Sequence, residues 1–318
     1  MGQPPRCAGF VPGWLPDRSG VDDSSVIQRI TQVRLGDSVN TERFEVDACV
    51  IDRTRFDKTL AIQALEAGAD LYNGFVIRRD GRTLVARRNG VEAAFVGRTI
   101  VCADGAASVV SRSLLKGRRR FLATMQFEVG LDRPCDFVSL RRPVIQGRGV
   151  GWFIPSGRTA RVGIALPRGM SRYLKQALSS FVREFERDGA IFQNATLGVT
   201  GGLVPIDRRP LSDNDLCLVV AGDARGGLGV DGAGITNAVL SGELAGHTTD
   251  RFLSDDADAI ERYATELDQY LNYNRDDRTL SRDQSAFKWW VDQTRLFLSW
   301  RPDPPSDASS TQGGTNGS

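Results

Sequence analysis

The sequence predicts an α/β fold that carries an inserted α+β block. Three observations lead there. A short, fully apolar strand at Leu216–Ala221 runs into a glycine-dense loop and then a helix. Strand, helix and strand signals also alternate over residues 44–103. Between these two ends lies a strand-rich block, residues 121–166, followed by one strongly amphipathic helix.

The elements follow in chain order. Residues 2–15 read as loop material holding Phe10 and Trp14, with no strand before it. Residues 25–51 alternate as strands through Val26, Ile30, Val33, Phe44, Val46, Cys49 and Ile51. Asp52 to Gly68 reads as a helix with Phe56, Leu60, Ala64 and Leu65 on one face, and Gly68 is its stop. Strands are predicted at Leu71–Arg79, Thr83–Arg87 and Arg98–Ala103. Residues 121–166 read as consecutive antiparallel strands, with turns at Asp132-Arg133-Pro134 and Ser156-Gly157-Arg158. Over residues 171–187, Tyr173, Leu174, Ala177, Leu178, Phe181, Val182 and Phe185 recur at helical spacing. Two more helices are predicted at Ile235–Leu253 and Ala259–Leu271.

Composition excludes several classes. The 318 residues are 41% hydrophobic, 25% charged and 8% aromatic, as in ordinary globular proteins. A net charge of +2 exerts no bulk pull on nucleic acid, and none is expected as a partner. Residues 53–120 carry 14 Lys or Arg against 6 Asp or Glu, while residues 250–283 carry 5 against 10. Both read as solvated surfaces, as does the run Lys116-Gly117-Arg118-Arg119-Arg120. The single histidine, His247, excludes a multi-histidine metal site and leaves one candidate base for a Ser-His-Asp triad. Five scattered cysteines without a Cys-x-x-Cys pair read as reduced thiols of a cytosolic protein. No apolar run reaches the ~20 residues of a membrane span, and no signal-peptide core is visible, so a cytoplasmic location is expected.

The glycine-rich turn is the most informative stretch. It runs Gly222-Asp223-Ala224-Arg225-Gly226-Gly227-Leu228-Gly229-Val230-Asp231-Gly232-Ala233-Gly234-Ile235. Glycines admit close backbone approach, and a helix N-terminus favours an anion. Asp223, at the strand end, is placed to accept hydrogen bonds from hydroxyls. Gly227 to Gly232 formally matches the dinucleotide fingerprint. It starts five residues past Gly222, however, and another helix follows rather than a strand, so that reading is rejected. A turn that only packs helix on sheet is the plain alternative.

A second stretch, Cys102-Ala103-Asp104-Gly105-Ala106-Ala107-Ser108-Val109, ends a strand. It resembles the Asp-Gly motif of the flavoprotein hydroxylase and geranylgeranyl reductase group, and Gly222-Asp223-Ala224 resembles the group's Gly-Asp-Ala motif. Further segments are similar to the geranylgeranyl reductase side. These are Pro5-Arg6-Cys7-Ala8-Gly9, Asp52-Arg53-Thr54-Arg55-Phe56-Asp57, Gly149-Val150-Gly151-Trp152-Phe153-Ile154-Pro155, Gly202-Leu203-Val204-Pro205 and Ser241-Gly242-Glu243-Leu244-Ala245-Gly246. Their order matches over roughly residues 4–250.

The resemblance implies a three-layer FAD/NAD(P)-binding fold of the flavoprotein hydroxylase type with an antiparallel substrate sheet. Residues 1–120 and 205–255 would form the FAD-binding domain, 121–204 the substrate domain and 256–300 a helical cap. Residues 301–318 read as a disordered tail. The group's opening βαβ unit has no counterpart here, so the chain is expected to begin after its first ~40 residues. FAD would be held by Asp104, Gly105, Gly222, Asp223, Gly232, Ala233, Gly234 and Ile235. Trp152, Phe153 and Pro155 would contact an apolar or lipid substrate. Cys7 would tune the flavin or supply a proton, unless it is a small buried hydrophobe. Asp104 and Gly105 have the alternative of simply closing a turn. The electron donor would be NAD(P)H or a reduced ferredoxin-type carrier, and the reaction hydride reduction of an isoprenoid C=C bond. A flavin monooxygenase and a non-catalytic remnant are the competing readings. In the aromatic segment 287–300, Phe287, Trp289, Trp290, Val291, Leu296, Phe297, Leu298 and Trp300 suit a lipid tunnel wall, an interfacial membrane anchor or a helix clamped over the core.

Overall fold

The computed structural model describes residues 7–36, 41–114, 119–141, 148–206, 212–213, 215, 217–226, 234–271, 291–292, 294–295 and 297–303. A short strand β1 (Phe10–Pro12) and one-turn helix α1 (Leu15–Arg18) precede the long strands β2 (Val26–Gly36) and β3 (Thr41–Ile51). Helix α2 (Arg53–Glu66) starts where Asp52 accepts from the Thr54 and Arg55 amides at 2.8 and 3.3 Å. It stops before Gly68, which sits at φ +91°. Only Phe56 of its predicted apolar face is buried. Leu60 is half-buried, and Ala64 and Leu65 are exposed because the second half of α2 leaves the core.

Strands β4 (Phe75–Asp80), β5 (Thr83–Arg88) and β6 (Val91–Val96) form an antiparallel meander, followed by β7 (Ile100–Cys102). The sequence reading missed β6. Its signal is Asn89-Gly90, both at positive φ, in a two-residue hairpin turn that pairs Arg88 with Val91. Next come β8 (Phe121–Leu131), β9 (Phe137–Arg141), β10 (Val150–Ser156) and β11 (Thr159–Pro167). The amphipathic helix α3 (Leu174–Arg187) buries six of the seven residues that its spacing selects; Tyr173 lies just before its start and is half-buried. The 15-residue edge strand β12 (Ile191–Pro205) follows; its polar and glycine-rich sequence had given no strand signal. The chain then runs through β13 (Ser212–Asp213), β14 (Leu218–Val220), α4 (Gly234–Leu253) and α5 (Ala259–Tyr270).

One eight-stranded sheet has the order β1-β3-β2-β9-β10-β11-β8-β12, with β2 and β9 parallel and the other neighbours antiparallel. It departs from the expected arrangement in two ways. β8 lies beside β11 and not beside β9. Strands β1–β3, assigned from sequence to the FAD-binding domain, continue the same sheet as β8–β12. Ladder hydrogen bonds on β2 would otherwise be lost, and the parallel β9 supplies them.

Three layers stack at the other end. The short sheet β13-β14-β7 has β14 and β7 parallel. Val219 and Ala221 pack with Leu240, Leu244, Tyr263 and Leu267 of α4 and α5. From the opposite face, Leu218 and Val220 pack with Ile100, Cys102, Val110 and the β4–β6 meander through Val76 and Leu84. Helices, parallel strands and meander thus form the expected three-layer α/β arrangement. A separate core lies between the large sheet and α3, where Phe153 stacks on Phe185 at 4.5 Å between centroids and on Phe137 at 5.9 Å.

Of the aromatic C-terminal segment, Val291, Phe297 and Leu298 are buried in the core with α4 and α5, and Trp300 packs against it. The clamped-helix alternative describes these residues; Phe287, Trp289, Trp290 and Leu296 lie outside the described residues. The segment read as a disordered tail, 301–318, opens with three described residues. Arg301–Asp303 are described, and the buried Pro302 offers its carbonyl to Arg18 Nη1 at 2.6 Å; the remainder, 304–318, lies outside the described residues. No helix among the described residues is long and apolar enough to cross a membrane.

Phe153→Ala is expected to cost about 3–5 kcal/mol of unfolding free energy, because a fully buried ring leaves a cavity between sheet and helix. Urea denaturation of both chains measures it.

Candidate active site

The end of β14, the start of α4, helix α2 and the loop 7–10 converge on one face of the large sheet. They enclose a cavity of about 950 Å³. Gly222, at φ +59°, turns the chain after β14 and donates its N–H to Ser241 Oγ at 2.9 Å. The turn aims Asp223 at the cavity. Its carboxylate has no side-chain hydrogen bond among the described residues. Burial pushes the Asp223 pKa up, and the Arg119 and Arg53 guanidinium groups pull it back only in part.

Helix α4 lies along the cavity with Gly234, Ile235, Ala238, Val239 and Gly242. A Cβ at Gly234 or Gly242 would meet nothing within 4 Å, so both leave open volume. Of the predicted cofactor residues, Asp223, Gly234 and Ile235 line this cavity. Gly222 supports the turn, and Gly232 and Ala233 lie outside the described residues.

Asp104 and Gly105 stand elsewhere. The Asp104 carboxylate accepts from the Val109 and Val110 amides at 2.7 and 3.2 Å and from the Cys102 thiol at 3.1 Å. Burial raises its pKa, but bonds from Ser108, Cys102, Val110 and Val109 outweigh that and leave it lowered. Gly105, at φ +79°, forms the turn those bonds close. Neither residue lines the cavity; the turn-closing alternative is what the geometry displays.

Cys7 lines the cavity next to Arg53, whose guanidinium grips Asp57 at 2.8 and 3.0 Å. Arg161 of β11 donates to the Cys7 and Ala8 carbonyls at 3.0 and 3.1 Å and so pins this loop to the sheet. Gly9 completes the fixation: at φ +79°, any Cβ would fall 2.5 Å from the Ile51 carbonyl oxygen.

The opposite wall is apolar, built from Leu122, Leu140, Val150, Trp152 and Ile154. Of the three expected substrate contacts, only Trp152 faces the cavity. Phe153 points to the α3 side because successive strand residues alternate, and the buried Pro155 shares that parity and is not on the lining. Trp152 lies flat across Gly163 of β11, where a Cβ would stand 2.2 Å from the indole. Its Nε1 donates to Gln126 Oε1 at 3.3 Å. At the far end, Arg18 binds Glu243 bidentately at 3.0–3.1 Å, and Tyr270 donates to Glu243 at 3.1 Å and also accepts from Arg18.

Sequence reasoning missed Arg119, Arg161, Arg18 and Gly163. Arg119 had been read as part of a solvent-exposed run. It is half-buried and donates to carbonyls of two separate loops, Ala106 at 2.8 Å and Asp223 and Ala224 at 3.2 Å each. Arg225, in the turn, points away and pairs with Asp268 at 2.8 Å.

The chain resembles known proteins in sequence and in fold. It is 26% identical over 277 residues to the digeranylgeranylglycerophospholipid reductase of Methanococcus vannielii, covering 80% of this chain and 69% of that protein. It is 25% identical over 310 residues to digeranylgeranylglycerophospholipid reductase 1 of Methanosphaera stadtmanae, covering 86% and 73%. A geranylgeranyl bacteriochlorophyll reductase-like protein of Thermoplasma acidophilum superposes with a TM-score of 0.75 at 22% identity, over 94% of this chain and 79% of that one. A triple mutant of the flavin-dependent brominase Bmp2 superposes at 0.72 and 16% identity, over 92% and 85%. No family model matches the sequence.

The three layers and the large mixed sheet are those of the flavoprotein hydroxylase-type FAD-dependent oxidoreductases. Within that class, the chain is an enzyme similar in sequence to the digeranylgeranylglycerophospholipid reductases.

Two outcomes test the site geometry. Gly163→Ala is expected to drive the Trp152 indole out of place, costing about 1–3 kcal/mol and altering the near-ultraviolet circular dichroism. Burial raises the Cys49 and Cys102 thiols to about 11. At pH 8, well below that value, only about one part in a thousand of each is thiolate. Iodoacetamide should therefore leave both intact in the folded chain while alkylating Cys7, as peptide mass mapping would record.

Proposed function

We propose that the protein reduces C=C bonds of an isoprenoid or similar apolar lipid, with FAD as its cofactor. The observation that carries this reading is the cavity itself: a buried carboxylate and an open helix start at one side, and an apolar wall opposite. The residues present fit the cofactor's flavin end. The carboxylate of Asp223 is buried beside two guanidinium groups and accepts no side-chain hydrogen bond among the described residues, which suits the ribityl hydroxyls. The unfilled space at Gly234 admits a flat ring against the α4 N-terminus, whose amides and dipole favour negative charge.

Bound in its reduced form, FAD supplies a hydride. Everything else falls to this chain's residues. Asp223 and the start of α4 hold the cofactor. Trp152 and Ile154, with Leu122 and Leu140, orient an apolar chain and exclude water. Cys7 stands beside Arg53 and furnishes the proton that double-bond reduction requires. Arg161 holds the Cys7 and Ala8 carbonyls, and Gly9 seats the loop against Ile51. Electrons arrive from NAD(P)H or a reduced ferredoxin-type carrier. The names of the relatives support a geranylgeranyl-type lipid as the substrate.

Anaerobic mixing of the reduced holoenzyme with a geranylgeranyl lipid should reoxidise the flavin and yield a product two hydrogens heavier per reduced bond. A flavin that reoxidises only with oxygen, giving a hydroxylated product, would assign the chain to the monooxygenases instead. Asp223→Ala is expected to weaken FAD binding by about tenfold or more, read by quenching of flavin fluorescence.

A further inference from the structure

We propose that Gln126 is a positioning residue that holds the Trp152 indole flat along the cavity floor, and that Thr200 fixes the Gln126 amide for that task. This inference deepens the reading that Trp152 receives an apolar chain, and it rests on that reading. Neither Gln126 nor Thr200 lies in a motif of the sequence resemblance.

A single register row brings the residues together. Leu140 of β9 pairs with Trp152 of β10, Trp152 with Gly163 of β11, Gly163 with Gln126 of β8, and Gln126 with Thr200 of β12. Paired residues share a face of a sheet, so the row stands in line on the cavity side, where Leu140, Trp152 and Gln126 line the space. Trp152 and Gln126 are two strand spacings apart, about 10 Å. Gly163 leaves that gap open: a Cβ there would stand 2.2, 2.3 and 2.6 Å from Cζ2, Cε2 and Nε1 of the indole. The nitrogen edge of the ring therefore crosses β11, and Nε1 donates to Gln126 Oε1 at 3.3 Å.

Space alone does not orient the ring. The torsion that carries an indole is broad and roughly two-fold, so an open strip over glycine admits the ring either way round. The hydrogen bond decides. Indole N–H only donates, so the oxygen of the Gln126 amide must face it. The amide nitrogen then faces β12, where Nε2 donates to Thr200 Oγ1 at 3.0 Å. Gln126 is 5% exposed, and without these partners its amide would be buried unsatisfied in an apolar wall. Tied in this way, the indole offers its face to the cavity beside Leu140 and Val150. Untied, the ring rotates about that torsion and lifts an edge into the space for an apolar chain.

The test uses the intact chain with isotope-labelled tryptophan. Hydrogen exchange is followed at the indole N–H whose signal disappears in Trp152→Phe, and the dissociation constant for geranylgeraniol is measured by equilibrium dialysis. Gln126→Met, close in volume and without hydrogen-bonding groups, should exchange this N–H at least about fivefold faster and bind geranylgeraniol about three- to tenfold more weakly. Gln126→Glu keeps an acceptor for the indole, and the Thr200 hydroxyl can donate to it, so exchange should stay within about twofold of wild type. On the W152F background, Q126M should no longer change the affinity, since there is no N–H to hold. Where W152F itself weakens binding, unchanged exchange or unchanged affinity in Q126M, or an equal loss on both backgrounds, overturns the proposal. Where W152F binds like wild type, the substrate role of Trp152 falls, and exchange alone decides: a faster N–H in Q126M keeps Gln126 as the residue that positions the ring, and an unchanged one overturns it. If Q126M does not fold, Thr200→Val takes its place: exchange at least about twofold faster supports the proposal, and wild-type exchange overturns it.

Discussion

A buried hydroxyl cluster behind the cavity joins the three elements on which the site depends. Tyr263 of α5 donates to the Val220 carbonyl at the end of β14 at 3.0 Å and lies 3.3 Å from the Ser241 carbonyl of α4. Ser241 Oγ in turn accepts from the Gly222 N–H at 2.9 Å. These groups are fully or nearly fully buried, so each left unpaired would cost about 1–3 kcal/mol. Strand end, helix start and cap helix thereby share one arrangement. The left-handed Gly222, and with it the direction of Asp223, follows from that arrangement.

Charge is distributed around this frame with separate tasks. Arg18 collects Glu243, Tyr270 and the Pro302 carbonyl, and so joins α1, α4, α5 and the C-terminal segment. Arg53 is held by Asp57, Arg225 by Asp268, and Arg161 by two backbone carbonyls. Buried or half-buried arginines satisfied in this way cost little, and they fix loops that would otherwise have no regular partners. The apolar wall needs no such help. Trp152 rests on Gly163 because no other residue leaves room for the indole there.

Much of the site was legible in the chain because it is local. Asp223, Gly234 and Ile235 lie within one strand–turn–helix stretch, and Cys7 sits in a segment whose aromatics already looked buried. Asp104 illustrates the limit. Its motif was recognisable, yet its carboxylate is consumed by the Val109 and Val110 amides of its own turn. Phe153 illustrates another. A strand of apolar residues on both faces has no alternation to say which side meets the cavity and which meets α3. Arg119 was hidden in a run of cations, where composition favours solvent and only the carbonyls of Ala106, Asp223 and Ala224, in two other loops, draw one side chain inward.

The sequence by itself determined the helices α2, α3, α4 and α5, the buried strand before the glycine turn, and the order of α/β and β-rich blocks. Those features rest on 3.6- and two-residue periodicity, caps and glycine, all of which act within a few residues. Only the tertiary structure decided that β8 lies beside β11, that β2 and β9 run parallel, and that β1–β3 extend the large sheet. Strand partners are chosen by contacts between residues far apart in the chain, and no local pattern encodes that choice. The cavity exists because of it: Trp152 from β10, Asp223 from the turn after β14 and Cys7 from the first loop meet only once those distant pairings are made.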